Sequence, residues 1–178
     1  MQRKVCMPRV DNSDFYNKTM RRFRESAKAQ HWISRERQEV RFKVLLNQIE
    51  DISTASLVDA GCGYADLALF MKQHKCEARH YIGIDTHLKM VKKARKQTGA
   101  TIIHANILSD TLPVADYYLC SGALNILERF ETLLFIKQML HYSTKGIVFN
   151  VLKGVDDSEI YNRYMPDEIR DVITSLGY

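Results

Sequence analysis

Leu57-Val58-Asp59-Ala60-Gly61-Cys62-Gly63-Tyr64-Ala65-Asp66-Leu67 is the stretch on which the reading of this chain turns. A short apolar strand runs into an acid, then two closely spaced glycines, then the start of an amphipathic helix. Glycines at such a turn let the backbone bend sharply and let a ligand lie against main-chain N–H groups. That order alone points to a nucleotide-type ligand at the carboxyl end of a parallel sheet. Asp59 narrows the choice. A carboxylate two residues before the first glycine repels a pyrophosphate and suits a ligand bearing an ammonium group.

Downstream, Tyr81-Ile82-Gly83-Ile84-Asp85 is a second apolar strand ending in an acid, 22 positions after Gly63. In doubly wound nucleotide-binding folds, an acid at that spacing accepts hydrogen bonds from ribose hydroxyls. Thr86 follows it, and a helix opens with Leu88, Val91 and Ala94 inward. A dinucleotide dehydrogenase would place Gly or Ala third in the glycine fingerprint, where this chain has Asp66. The competing reading is a strand-turn-helix that holds no cofactor.

Together, Asp59-x-Gly61-x-Gly63 and Asp85 resemble the first two motifs of class I (Rossmann-like) S-adenosylmethionine-dependent methyltransferases. The resemblance implies that Asp59, Gly61, Cys62, Gly63, Asp85 and Thr86 surround S-adenosyl-L-methionine. A third strand from Thr101 ends at Asn106-Ile107, where the family contacts the adenine amino group and packs on its ring. Asn106 is also an ordinary turn residue. Ala115 to Gly122 reads as the fourth strand, and the resemblance puts Ser121, Gly122 and Asn125 beside the transferred methyl.

The N-terminal segment carries the charge. Residues 1–50 hold 12 Lys plus Arg against 6 Asp plus Glu, and the remaining residues 14 against 15, so the net +5 originates there. Residues 14–50 read as two helices, the second capped by Ser34 with Phe42, Leu45, Leu46 and Ile49 on its apolar face. Within it, Trp32-x-Ser34-x-x-x-Gln38-x-x-Arg41-Phe42 resembles a pattern in a bacterial methyltransferase group, as does Phe149-Asn150-Val151-Leu152. Gln38 and Arg41 share a helical face and would reach the cofactor carboxylate or an anionic substrate. The bland alternative makes Trp32 a core residue and Arg41 a solvated charge.

Composition agrees with a compact core of 51–178 behind a basic helical cap of 1–50: 46% of 178 residues are hydrophobic, and no repeat or low-complexity tract interrupts them. Cys6, Cys62, Cys76 and Cys120 form no C-x-x-C pair and lack histidines at ligand spacing, which argues against zinc. No apolar signal region or membrane-length run occurs in the sequence, so the expected setting is cytoplasmic.

The expected architecture is therefore α/β: a Rossmann-like, doubly wound, mostly parallel sheet ordered 3-2-1-4-5, with helices on both faces. Pro166, followed by Asp167 and Glu168, starts a last helix, and the given sequence ends at Tyr178. The resemblance implies a terminal β-hairpin that is absent from this sequence. Either more residues follow or a partner, such as a second copy in a homodimer, covers the fifth strand. The implied activity is methyl transfer from S-adenosylmethionine to a small-molecule acceptor. Two alternatives stand beside it, an RNA or tRNA methyltransferase using the basic helices and a non-catalytic cofactor-binding protein. His31, Tyr64, Asn125 and Tyr161 are the polar candidates for a general base.

Overall fold

A computed structural model describes residues 30–155 and 161–178, with side chains from Arg35 onward. The chain forms two compact units, 1–38 and 39–178. In the second, Phe42, Leu45, Leu46 and Ile49 pack with Leu57, Leu67, Phe70, Met71 and Leu119 into one cluster. Each is under a tenth exposed. Burying a side chain of this size contributes roughly 1.5–3 kcal/mol, which binds this helical face to the sheet. Helix α1 (Gln30–Leu46) passes straight through Ser34, so Ser34 is not its N-cap.

Five parallel strands make the main sheet: β1 (Ser56–Ala60), β2 (His80–Asp85), β3 (Thr101–His104), β4 (Ala115–Ser121) and β5 (Ser143–Asn150), ordered β3-β2-β1-β4-β5. Helices α2 (Asp66–Gln73), α3 (Leu88–Thr98) and α4 (Arg129–Tyr142) connect them, as parallel neighbours require. One face carries the cluster above. The other buries Val58, Ala60, Ile84, Tyr118 and Cys120 against Phe135, Ile136 and Met139 of α4. Strands covered on both faces read as near-continuous apolar runs, and these do.

Local departures have local reasons. Met90, not Leu88, joins Val91 and Ala94 inside α3, and Leu88 is 44% exposed. The third strand stops at His104, so Asn106 and Ile107 lie in a turn beyond it. After β5, the pair β6 (Leu152–Lys153) and β7 (Arg163–Tyr164) forms a separate parallel ladder. Helix α5 (Pro166–Ser175) then begins with Glu168 accepting the Met165 N–H at 2.6 Å. Among the described residues β5 is an edge strand with no neighbour beyond it. No described helix is long and apolar enough to cross a membrane.

At the amino end of the sheet, Asp116 ties three strands together. Its Oδ2 accepts both the Ser56 N–H at 2.8 Å and the Ser56 hydroxyl at 3.0 Å. Its Oδ1 accepts the Thr144 hydroxyl at 3.3 Å and lies 3.5 Å from Lys145 Nζ. The Ser56 backbone and hydroxyl bonds, with Lys145 nearby, hold the carboxyl down to about 2.

Candidate active site

The loop Gly61-Cys62-Gly63 leaves the carboxyl end of β1. Gly61 and Gly63 have φ of 77° and 56°. Both the Gly61 and Cys62 N–H groups donate to the Ile84 carbonyl, at 2.8 and 3.0 Å, which pins the loop to β2. A Cβ on Gly61 would stand 2.7 Å from the Ala123 Cβ, whereas one on Gly63 would meet nothing within 4 Å. The loop is thus closed at Gly61 and open at Gly63. Ala65, with φ 58°, carries the chain into α2. A non-glycine residue in that region costs roughly 1–2 kcal/mol, so the turn is held under strain.

Asp85 binds the loop to the next helix. The Gly63 N–H donates to its Oδ2 at 2.9 Å and the His87 N–H to its Oδ1 at 2.7 Å. Asp59 is only 3% exposed and accepts the Tyr81 hydroxyl at 2.7 Å. Burial raises its carboxyl to about 7; the Tyr81 bond opposes this, and the charges of Asp85 and Asp66 add to it. Burial and the facing Asp59 push the Tyr81 phenol well above its ordinary value. Tyr81 was not among the anticipated site residues. Only its place on β2, two residues before the position paired with Asp59, would have signalled it.

The remaining anticipated residues divide. Cys62 is buried, and burial drives its thiol far up. Thr86 is exposed, and its carbonyl lies 2.9 Å from His104 Nε2. Asn106 makes a turn: its Oδ1 accepts the Leu108 N–H at 3.0 Å, and its own N–H donates to Asp110 Oδ2 at 2.9 Å. Ile107 is 3% exposed inside the core cluster with Leu112 and Tyr118.

Ser121 and Asn150 are register partners at the ends of β4 and β5. Asn125 is buried and acts as a strut. Its Oδ1 accepts the Leu152 N–H at 2.8 Å and its carbonyl accepts the Asn162 N–H, also at 2.8 Å. Nearby, Tyr164 donates to the buried Thr132 hydroxyl at 3.0 Å, fastening β7 to α4. Lys93 Nζ stands 4.4 Å over the Tyr64 ring, and burial raises the Tyr64 phenol. Tyr161 is 43% exposed. Partial burial lowers the Arg41 pKa. Gln38 belongs to the first unit, and the side chains of His31 and Trp32 lie outside the described residues.

A family model described as a methyltransferase domain matches residues 57–146, about half of the chain. No curated protein sequence matches. Among solved structures, the magnesium protoporphyrin IX methyltransferase of Synechocystis PCC 6803 with bound SAH superposes with a TM-score of 0.67 at 14% identity, covering 78% of this chain and 72% of that one. A putative methyltransferase from Haloferax volcanii, solved in complex with the Trm112 activator, gives 0.66 at 15% identity over 85% and 73%. The small RNA methyltransferase HEN1 gives 0.63 at 18% identity, over 78% of this chain and 21% of that one. At these identities the likeness is one of fold.

Proposed function

The chain belongs to the methyltransferase-domain family, and from that premise we propose that it transfers the methyl group of S-adenosylmethionine to a small-molecule acceptor. The observation that carries this reading is the Asp85 carboxylate bridging Gly63 and His87 beside the open side of the glycine loop. Gly63 leaves room for an adenosyl group where any side chain would intrude. Asp66, Asp85 and, once a bound ammonium draws off its proton, Asp59 supply negative charge that suits an ammonium and a sulfonium and opposes a pyrophosphate.

When bound, S-adenosylmethionine supplies a methyl carbon already activated by its sulfonium. The work left to the protein is alignment and exclusion of water. In this reading Asp85 meets the ribose hydroxyls, Asp59 faces the methionine ammonium, and the loop Gly61-Cys62-Gly63 lies along the cofactor. Ser121 and Gly122 border the reacting methyl. Gln38 and Arg41 are the residues proposed for an anionic group of cofactor or acceptor. A general base, where the acceptor needs one, is sought among His31, Tyr64 and Tyr161, since the Asn125 amide takes no proton and its oxygen is committed to Leu152.

One observation favours a second acceptor class. Arg21, Arg22 and Arg24 belong to the segment that carries the net positive charge, which is how a phosphate-binding surface is composed. The proposed setting is cytoplasmic, and a second copy pairing along the β5 edge is the proposed assembly. Incubating the protein with methyl-labelled S-adenosylmethionine and separated metabolite and RNA fractions decides between the acceptors. Label in the metabolite fraction alone supports the first reading. Label in RNA, lost when the three arginines are neutralised, replaces it with the second. Label in neither, despite cofactor binding, leaves a non-catalytic binding protein.

A further inference from the structure

Between the end of α2 and the turn from α3 into β3 lies a half-open cavity of about 210 Å³. It belongs to the amino end of β2 and β3, and neither the glycine loop nor Asp85 lines it. Ala68, Ala78 and Ala100 stand in its walls, and their side chains stop at Cβ, so the space between the two helices stays unfilled. An apolar cavity of about 150 Å³ accepts a benzene-sized ring. This one has room for a larger ring.

Three more residues of the lining define the ligand. Tyr81 is half-buried, and its hydroxyl is already committed to the buried Asp59 at 2.7 Å, which leaves its ring to the cavity. An aromatic ring favours an aromatic partner in offset or edge-on contact. Lys72 and Glu77 also line the cavity; both are exposed, and among the described residues no ion pair joins them. One cation and one anion at a single mouth offset each other for a singly charged ligand. They serve a zwitterion, whose carboxylate and ammonium take one each.

We propose that this cavity binds a free aromatic amino acid and that the bound ring, by holding Tyr81 on Asp59, tightens the protein's grip on its cofactor. The second half rests on the methyltransferase reading, in which Asp59 faces the methionine ammonium. The Tyr81 bond favours the ionised Asp59 carboxylate against the burial that opposes it. A ring packed on Tyr81 restricts the motions that break this bond. More of the protein then carries Asp59 in the form that an ammonium binds, and the ligand acts by shifting that population.

L-Tryptophan, tryptamine and indole-3-propionate are titrated into the full chain by calorimetry. Tryptamine lacks the carboxylate and indole-3-propionate the ammonium. Tryptophan should bind about two- to fivefold more tightly than either, the range of one exposed ion pair. Lys72→Gln should erase only its advantage over tryptamine, and Glu77→Gln only its advantage over indole-3-propionate. Both positions are exposed, so the fold tolerates these changes. Ala100→Leu, which fills the hollow, should abolish binding of all three. No tryptophan binding to the wild type, equal binding of the three compounds, or a ranking that the two charge variants leave unchanged overturns the site.

The second arm titrates S-adenosylhomocysteine with and without saturating tryptophan. The wild type should bind it at least about fivefold more tightly with tryptophan present. Tyr81→Phe, which has no hydroxyl to offer Asp59, should show no gain. Tryptophan binding without any gain in the wild type overturns the link through Tyr81. A loss of S-adenosylhomocysteine affinity puts tryptophan in the cofactor's own pocket and overturns the site as well. Failure of S-adenosylhomocysteine to bind at all defeats the methyltransferase reading, while the first arm still decides the cavity.

Discussion

Tyr81 donates its hydroxyl to Asp59 across 2.7 Å, joining β2 to the buried acid that ends β1. The bond stabilises the ionised carboxylate, yet burial wins and the carboxyl still sits at about 7. Asp59 thus holds its proton in the folded state across a range where the unfolded chain, near the ordinary 3.8, has released it. A raised folded pKa gives stability that is fully present below the unfolded value and is lost as pH climbs through the folded one. Between pH ~4 and ~7 the ligand-free protein should lose stability with a slope of about 1.4 kcal/mol per pH unit from this residue. Asp59→Asn should flatten that slope in urea titrations run at several pH values. An unchanged slope would mean another group is responsible.

Tyr81→Phe removes the donor and keeps the ring. The Asp59 carboxyl should then titrate still higher, and the protein at pH 8 should lose roughly 1–3 kcal/mol, the cost of leaving a buried acceptor unpaired. Chemical denaturation at pH 5 and pH 8 checks this. The loss should be much smaller at pH 5, where the carboxyl is already protonated.

Asp85→Ala should weaken S-adenosylmethionine binding by about a hundredfold or more, if two ribose hydroxyls each lose a charge-assisted bond of roughly 1.5–3 kcal/mol. The same change also frees the Gly63 and His87 N–H groups, so some folding stability goes with it. Asp85→Asn retains one acceptor and should recover part of the stability but little of the affinity. Calorimetry beside thermal melting resolves the two effects, and an unchanged dissociation constant removes Asp85 from the ribose.

Gly61→Ala and Gly63→Ala should part company. Both positions have positive φ, but only the first drives a methyl group into Ala123, at 2.7 Å. Gly61→Ala should therefore destabilise by more than the ~1–2 kcal/mol of the backbone strain alone. Gly63→Ala should cost about that strain and otherwise spoil cofactor binding. Equal stabilities for the two variants would contradict the packing of the loop on Ala123.

Asn125→Ala should loosen the segment that follows β5, since it deletes the acceptor of the Leu152 N–H and leaves that group unpaired. Hydrogen exchange at Leu152 should speed up while the Val58 and Leu119 amides stay protected. A uniform change across the sheet would mean that Asn125 supports the whole core and not one strand exit.

Most of the sheet was legible because its signals are local. Asp59, Gly61, Gly63 and Asp85 announce two strand ends by spacing, and apolar runs at Thr101, Ala115 and Ile147 announce three more. The order 3-2-1-4-5 then follows from the resemblance they carry together. What stayed hidden depends on contacts across the chain. Asn125 reads as a polar residue near a methyl site until Leu152 and Asn162 are seen bonded to it. Ile107 reads as the last residue of the third strand, and its packing in the core cluster depends on the turn at Asn106. Leu88 and Met90 are equally apolar, and only the placement of α3 on the sheet decides which is covered. Tyr81 meets Asp59 across a diagonal between strands, a relation with no sequence period.

The Asp116 clamp stands at the opposite end of the strands from the glycine loop and Asp85. Ser56, Asp116, Thr144 and Lys145 fasten β1, β4 and β5 at their amino ends. Rigidity and chemistry are therefore separately adjustable along the same three strands. An engineer seeking a hardier catalyst can rework the clamp and leave the pocket as evolution tuned it. Acid is the limit of that freedom, since the Ser56 bonds and Lys145 that hold the Asp116 carboxyl down to about 2 weaken once it takes up a proton.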